Sequence, residues 1–249
     1  MICLLLLIFL SIPASLTASG KSSATMIEYR SGKETVRAYV AIPDGPGPFP
    51  AILLVHEWWG LNDWIKGNAR SFADSGYIAM AIDLYRGKST ASADTAHEIM
   101  RGLPEDRAAR DLQAAMEYLR TRKDVIPEKI GAIGWCMGGG YALVAAMNTP
   151  GIAGTVICYG RLVTDSASIA KINGPLLGIF GKDDNGIPPE TVREFEHACR
   201  EAGKEIEMHL YDHAGHAFMN RNNVKGFNAE SSQDAWMRIS SFFRSRLKK

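Results

Sequence analysis

Cysteine is scarce in this chain, at four residues in 249. Cys3 falls in an apolar opening segment. That leaves Cys136, Cys158 and Cys199, an odd number that excludes a disulfide framework. Charge of one sign is missing as well: Lys and Arg number 28 against 27 Asp and Glu, a net charge of +1. With no basic stripe and no acidic tail, nothing marks nucleic acid or an anionic membrane surface as a partner. After the first twenty residues no repeat, low-complexity tract or linker interrupts the chain, so residues 21–249 read as a single domain. Hydrophobic residues make up 46% and charged residues 22%, a balance that permits a large core and excludes long disorder.

The first twenty residues stand apart. ICLLLLIFL is too short for a comfortable membrane span, which needs about 20 residues, and has the length of a signal-peptide core. Thr17-Ala18-Ser19 offers a small-residue cleavage site, although no Lys or Arg precedes the apolar run. Residues 1–20 are therefore expected to be a cleaved export signal, with an uncleaved anchor as the alternative. The mature protein is expected to be periplasmic or secreted, monomeric and free of stable membrane association.

Beyond that segment, strand and helix patterns alternate. TMIEYR and ETVRAYVAI flank Gly32 as a hairpin. AILLVH, YIAMAIDLY, KIGAIGW, GTVICYG and PLLGIFG are short apolar runs of the kind buried on both faces of a sheet, and EIEMHLY alternates. Helical patterns lie near 65–75, over 104–122, in GGGYALVAAM, in PPETVREFEHACREAG and over 233–247. This order predicts an α/β fold: a mostly parallel twisted sheet of about eight strands, helices on both faces and no large lid.

One short stretch stands out. In GWCMGG (134–139) a strand pattern runs into Gly-x-Cys-x-Gly and then into a helix pattern. That is the layout of a nucleophile elbow with cysteine in the place usually held by serine. Glycines at 134 and 138 leave room for the sharp turn. The positive end of the following helix favours a thiolate at Cys136, and the Met137 N–H is placed to donate to an oxyanion. A phosphate-binding loop is the weaker reading, since no Lys follows the glycines. A nucleophile needs a base and a group to orient it. GKDDNGIP supplies Asp183 and Asp184, and YDHAGHAF supplies His213 and His216, each directly after a strand pattern. The two histidines lack a third ligand cluster nearby, which argues against a metal. No cofactor is implied.

Five motifs together resemble the dienelactone hydrolase (carboxymethylenebutenolidase) family of the α/β-hydrolase fold: VHEWWGLN (55–62), DLYRGK (83–88), GWCMGGG (134–140), GKDDNGIP (181–188) and AGHAFMN (214–220). The likeness spans roughly 26–247. It implies a Cys136, Asp184, His216 triad, in which Asp184 rather than Asp183 matches the family's D-x-G-I-P and His216 rather than His213 matches its G-H-x-F. It implies that Glu57 holds the resting thiol and is displaced as substrate binds, and that Trp58 supplies a second oxyanion N–H. Glu57 read on its own residues agrees: a carboxylate at a strand end among Trp58, Trp59 and Trp64 is partly desolvated and its pKa rises. The tryptophans line a pocket or cover the sheet edge.

The chain departs from the family at its substrate-carboxylate arginines. Arg86 follows Asp83-Leu84-Tyr85 directly, with Gly87 in the family's arginine position, and Asn220 stands four residues past His216 with Arg221 one later. Arg86, Arg221, Trp59 and Tyr85 remain the candidate substrate contacts. The expected reaction is two-step hydrolysis of an ester or lactone through a thioester. Thiolate leaves more readily than alkoxide, so such an enzyme suits substrates with an easily departing enolate. A general carboxylesterase or thioesterase, or a binding protein that kept the fold, are the alternatives.

Overall fold

A computed structural model describes residues 22–248; the export signal expected at 1–20 lies outside the described residues. β1 (Ser23–Ser31) and β2 (Glu34–Ile42) form the expected antiparallel hairpin. β3 (Phe49–Val55), β4 (Ile78–Ile82), β5 (Val125–Trp135), β6 (Gly154–Cys158), β7 (Leu176–Gly181) and β8 (Ile206–Tyr211) complete one eight-stranded sheet. The strand order is β1-β2-β4-β3-β5-β6-β7-β8. β2 joins β4 antiparallel, and every pair from β4 to β8 is parallel. The expected mostly parallel sheet is the one found.

The helices are α1 (Asp63–Asp74), α2 (Ala93–Arg101), α3 (Glu105–Thr121), α4 (Met137–Asn148), α5 (Ser166–Ala170), α6 (Pro189–Glu201) and α7 (Ala229–Leu247). The short α2 and α5 are not anticipated by the sequence reading: α2 has nine residues and α5 five, and each buries a single residue, Ala96 and Ile169. The sheet divides the interior by residue parity. Ile52 and Leu54 of β3 join a core with Ile65 and Phe72 of α1 and Ile239 and Phe243 of α7. Ala51, Leu53 and Val55 face the other way, toward Leu112, Met116 and Leu119 of α3. Helices on both faces explain why β3 reads as an unbroken apolar run.

α3 also buries a charge. Asp111 is fully buried, and its Oδ2 lies 2.7 Å from Arg86 Nη1. Arg86 Nη2 donates to Glu34 Oε2 at 2.8 Å, and Arg110 Nη2 donates to the same oxygen at 3.1 Å. Tyr29 Oη donates to the Asp111 carbonyl at 3.1 Å. The cluster ties the hairpin to α3 and to the segment after β4. Arg86, expected from its motif to meet a substrate carboxylate, is instead spent on two internal ones. With φ at +56°, its backbone belongs to a sharp turn that sends the side chain this way.

Removing Arg86 leaves Asp111 buried without its counter-ion. Arg86→Ala should cost about 3 kcal/mol of stability while leaving KM for any substrate unchanged in the folded fraction. Thermal unfolding together with steady-state kinetics would detect the opposite pattern, a KM effect without destabilisation.

Candidate active site

β5 ends at Trp135 and α4 begins at Met137, so Cys136 is the whole turn between them. It sits at φ +55° and ψ −121°, a conformation a residue with a Cβ adopts only under strain. Close packing enforces it. A Cβ on Gly134 would stand 1.9 Å from the Gly138 carbonyl oxygen, and one on Gly138 would stand 2.2 Å from the Val55 oxygen. The Cys136 N–H donates to the Cys158 carbonyl at 3.0 Å, and its own carbonyl accepts from Gly139 N–H at 2.9 Å. The thiol is thereby aimed off the carboxyl edge of the sheet, at the positive end of α4.

Loops from two other strand ends converge on it. After β7, Asp184 is buried, and its Oδ1 accepts from the N–H groups of Gly186 (2.8 Å) and Ile187 (3.1 Å). Its Oδ2 lies 2.7 Å from His216 Nδ1 in the loop after β8. Burial pushes the Asp184 carboxyl up, but the hydrogen bond and charge of His216 outweigh it and hold the pKa below the ordinary value. For His216 burial acts downward, and Asp184 and the Cys136 sulfur reverse it, raising the imidazole to about 10. Of the paired candidates, Asp184 and His216 meet. His213 lies elsewhere in the loop, with its carbonyl accepting from Asn228 Nδ2 at 3.0 Å.

Glu57 follows β3 and is 1% exposed. His56 helps set its backbone. Burial keeps the His56 pKa low, so the ring is neutral; its Nε2 accepts from Leu84 N–H at 3.3 Å, and Nδ1 therefore donates to the Glu57 carbonyl at 2.6 Å. Glu57 Oε2 accepts from Asn220 Nδ2 at 2.5 Å, while Oε1 has no hydrogen-bond partner among the described residues. Burial dominates its titration and pushes the carboxyl up to about 7, against the opposing pull of Asn220, His216 and Tyr159. Tyr159, fully buried at the end of β6, lies edge-on to His216 with ring centroids 5.4 Å apart.

A cleft of about 630 Å³ opens over these groups, lined by Glu57, Trp58, Trp59, Met100, Cys136 and His216 and by the Asn220, Asn222–Lys225 stretch. The tryptophans thus line the cleft, and Trp58 and Trp59 meet edge to face at 4.8 Å. Arg86 and Arg221 are not among the lining residues; Arg221 lies over the Phe227 ring at 5.8 Å. Tyr85 is buried behind the wall, its hydroxyl 3.1 Å from the Met137 sulfur. The N–H groups of Trp58 and Met137 donate to no described backbone carbonyl. Asn220, Tyr159 and Lys225 are the residues to which the sequence reading assigned no role. Tyr159 could have been found from its position just after a strand, and Asn220 from standing where an arginine was expected. Among the described residues no group of three or more His, Cys, Asp or Glu is placed to hold a metal ion.

Sheet order, elbow turn and the groups gathered at the carboxyl edge define an α/β hydrolase. The chain belongs to the dienelactone hydrolase family, whose model matches residues 36–247. It is 34% identical over 223 residues to a Methylorubrum extorquens protein named “Putative carboxymethylenebutenolidase”, covering 84% of this chain and 76% of the relative. A Klebsiella pneumoniae structure titled “Putative Dienelactone Hydrolase” superposes with a TM-score of 0.80 at 26% identity, covering 89% of this chain and 98% of that one. The dienelactone hydrolase-like promiscuous phosphotriesterase P91, from metagenomic libraries, shares the fold with a TM-score of 0.83 at 24% identity, over 91% and 99% of the two chains. The protein is a hydrolase of ester or lactone bonds.

Glu57 makes stability depend on pH. The folded carboxyl keeps its proton to about pH 7, whereas an unfolded one loses it near 4.3. Its contribution is complete below the unfolded value and lost as pH rises through 7, in total ~4 kcal/mol. Urea unfolding of wild type and Glu57→Gln between pH 4 and 8 should show wild type losing ground steadily, and parallel curves would contradict this.

Proposed function

We propose that Cys136 is the nucleophile of a two-step ester or lactone hydrolysis, with His216 as its base and Asp184 as the group that orients His216. The observation that carries this reading is the strained Cys136 turn at the head of α4, facing a His216 whose Nδ1 is 2.7 Å from a buried carboxylate. Thiolate attack on the carbonyl carbon forms a tetrahedral oxyanion, for which the N–H groups of Met137 and Trp58 are unspent donors. Collapse expels the alkoxide or enolate, which takes a proton from His216. Water, deprotonated by His216, then attacks the thioester and frees the acid and the thiol. The family resemblance assigns Glu57 to the resting thiol, to be moved as substrate enters the cleft; in this structure its described hydrogen bond is to Asn220.

The first step is reversible, because the thiolate is the better leaving group unless the expelled oxygen is stabilised. Enol lactones meet that condition. A second reading, a carboxylesterase or thioesterase for neutral esters, is favoured by the absence of both arginines from the cleft lining. The leader-like residues 1–20 further support export of the protein, as a monomer, to the periplasm or medium. Cell fractionation with amino-terminal sequencing would reveal a chain starting near residue 20; an intact cytoplasmic chain would refute export, and light scattering would report the mass.

Hydrolysis of cis- and trans-dienelactone beside p-nitrophenyl acetate tests the chemistry. Cys136→Ala should lower kcat/KM for all three by about a thousandfold or more, and alkylation of wild type by iodoacetamide should abolish turnover. Retained activity in Cys136→Ala would end the proposal.

A further inference from the structure

The cleft holds one permanent cation among its described lining residues, Lys225. No ion pair engages it, whereas Arg86 is held by Asp111 and Glu34 and Arg221 lies over Phe227. The segment carrying Lys225 is fastened to the His216 loop. Asn223 Nδ2 donates to the His216 carbonyl at 3.1 Å, and Asn223 N–H donates to the Asn220 carbonyl at 2.9 Å. Asn222 N–H caps Asn220 Oδ1 at 2.9 Å, and Gly226 and Phe227 both donate back to the Asn223 carbonyl, at 3.0 and 2.8 Å. Asn220 in turn holds Glu57. Lys225 is therefore carried by a hydrogen-bonded turn registered to His216 rather than by a free tail. Trp58, Trp59 and Met100 also line the cleft and carry no charge, so beyond the His216 imidazole Lys225 is the cation an anionic substrate meets among the described lining residues.

Resting on the hydrolase mechanism above, we propose that Lys225 is the specificity-determining residue that draws carboxylate-bearing substrates into this cleft, in place of Arg86 and Arg221. An ammonium on a flexible stem tolerates anions at varied distances from the reacting carbonyl, where a guanidinium fork would fix one planar geometry. Being exposed, its attraction is screened by salt.

Two readouts test this. The first needs no turnover: the rates at which iodoacetate and iodoacetamide alkylate Cys136 differ between reagents mainly through charge, and Cys158 and Cys199 are buried. The iodoacetate-to-iodoacetamide rate ratio, followed at Cys136 by mass spectrometry, should fall about fivefold in Lys225→Gln at low salt. It should be restored in Lys225→Arg, fall further in Lys225→Glu, and differ less between variants at 0.5 M NaCl. The second readout compares dienelactone with p-nitrophenyl acetate: Lys225→Gln should raise KM for the anionic lactone with kcat held, and leave the neutral ester unchanged. An alkylation ratio that does not move, or equal effects on both substrates, overturns the assignment of Lys225. Turnover that survives Cys136→Ala overturns the mechanism instead, so the two failures are distinct.

Discussion

The contact on which the site depends is the near-collision of three backbones at the head of α4. Gly138 passes so close to the end of β3 that a single added carbon would meet the Val55 and His56 carbonyls, and Gly134 meets Gly138 in the same way. Only glycines let β5 turn into α4 within one residue. That one residue is then forced to positive φ, and its side chain has nowhere to go but out over the sheet edge. The strain at Cys136 is held by the tight packing of the strands on either side, β3 and β6, the second through the bond from Cys136 N–H to the Cys158 carbonyl. The position of the Cys136 thiol is thus a product of core packing, and the loops after β3, β7 and β8 bring Glu57, Asp184 and His216 to the same sheet edge.

Those partners differ in how water sees them. Asp184 is buried but accepts two N–H bonds and faces an imidazole, so its charge is satisfied and its pKa falls. Glu57 is just as buried yet faces a neutral amide, and one of its oxygens has no hydrogen-bond partner among the described residues. Its pKa rises accordingly. Two carboxyls on one sheet edge are thereby pushed in opposite directions, one toward permanent charge and one toward neutrality at rest, a separation that assigns different work to each. Asn220 in place of a cation is what keeps Glu57 near the point where either form is accessible.

Much of this was legible in the residues. The continuous apolar strands, the hairpin around Gly32 and the long α3 follow from periodicity, and the elbow from two glycines flanking a cysteine between strand and helix patterns. Asp184 and His216 come together as motif and chain order require. What sequence spacing does not carry is the direction of a side chain from a turn. Arg86 lies one residue from a family position, yet its positive φ sends it to Asp111, a buried charge whose need for a partner is invisible without the packing of α3. Tyr85, on the same turn, is buried with its hydroxyl on the Met137 sulfur. The helix α2, which brings Met100 to the cleft, has only nine residues, too few for its periodicity to stand out from the loop around it.

The distribution of cations follows from this packing. A fold that buries Asp111 must supply a counter-ion from a neighbouring loop, and a guanidinium, with several nitrogens, forms ion pairs with Asp111 and Glu34 at once. Once Arg86 is so engaged it cannot also reach a substrate. Within the cleft it is the neutral amide of Asn220, not a cation, that donates to Glu57. What charge remains lies at the mouth, on a turn tied to the catalytic-edge histidine. The thiol thus shares its cleft with two tryptophans and with a carboxyl that burial pushes up to about 7. In the proposed mechanism, attraction of an anionic substrate, which acts over distance and weakens in salt, is kept apart from activation of the thiol, which acts by contact.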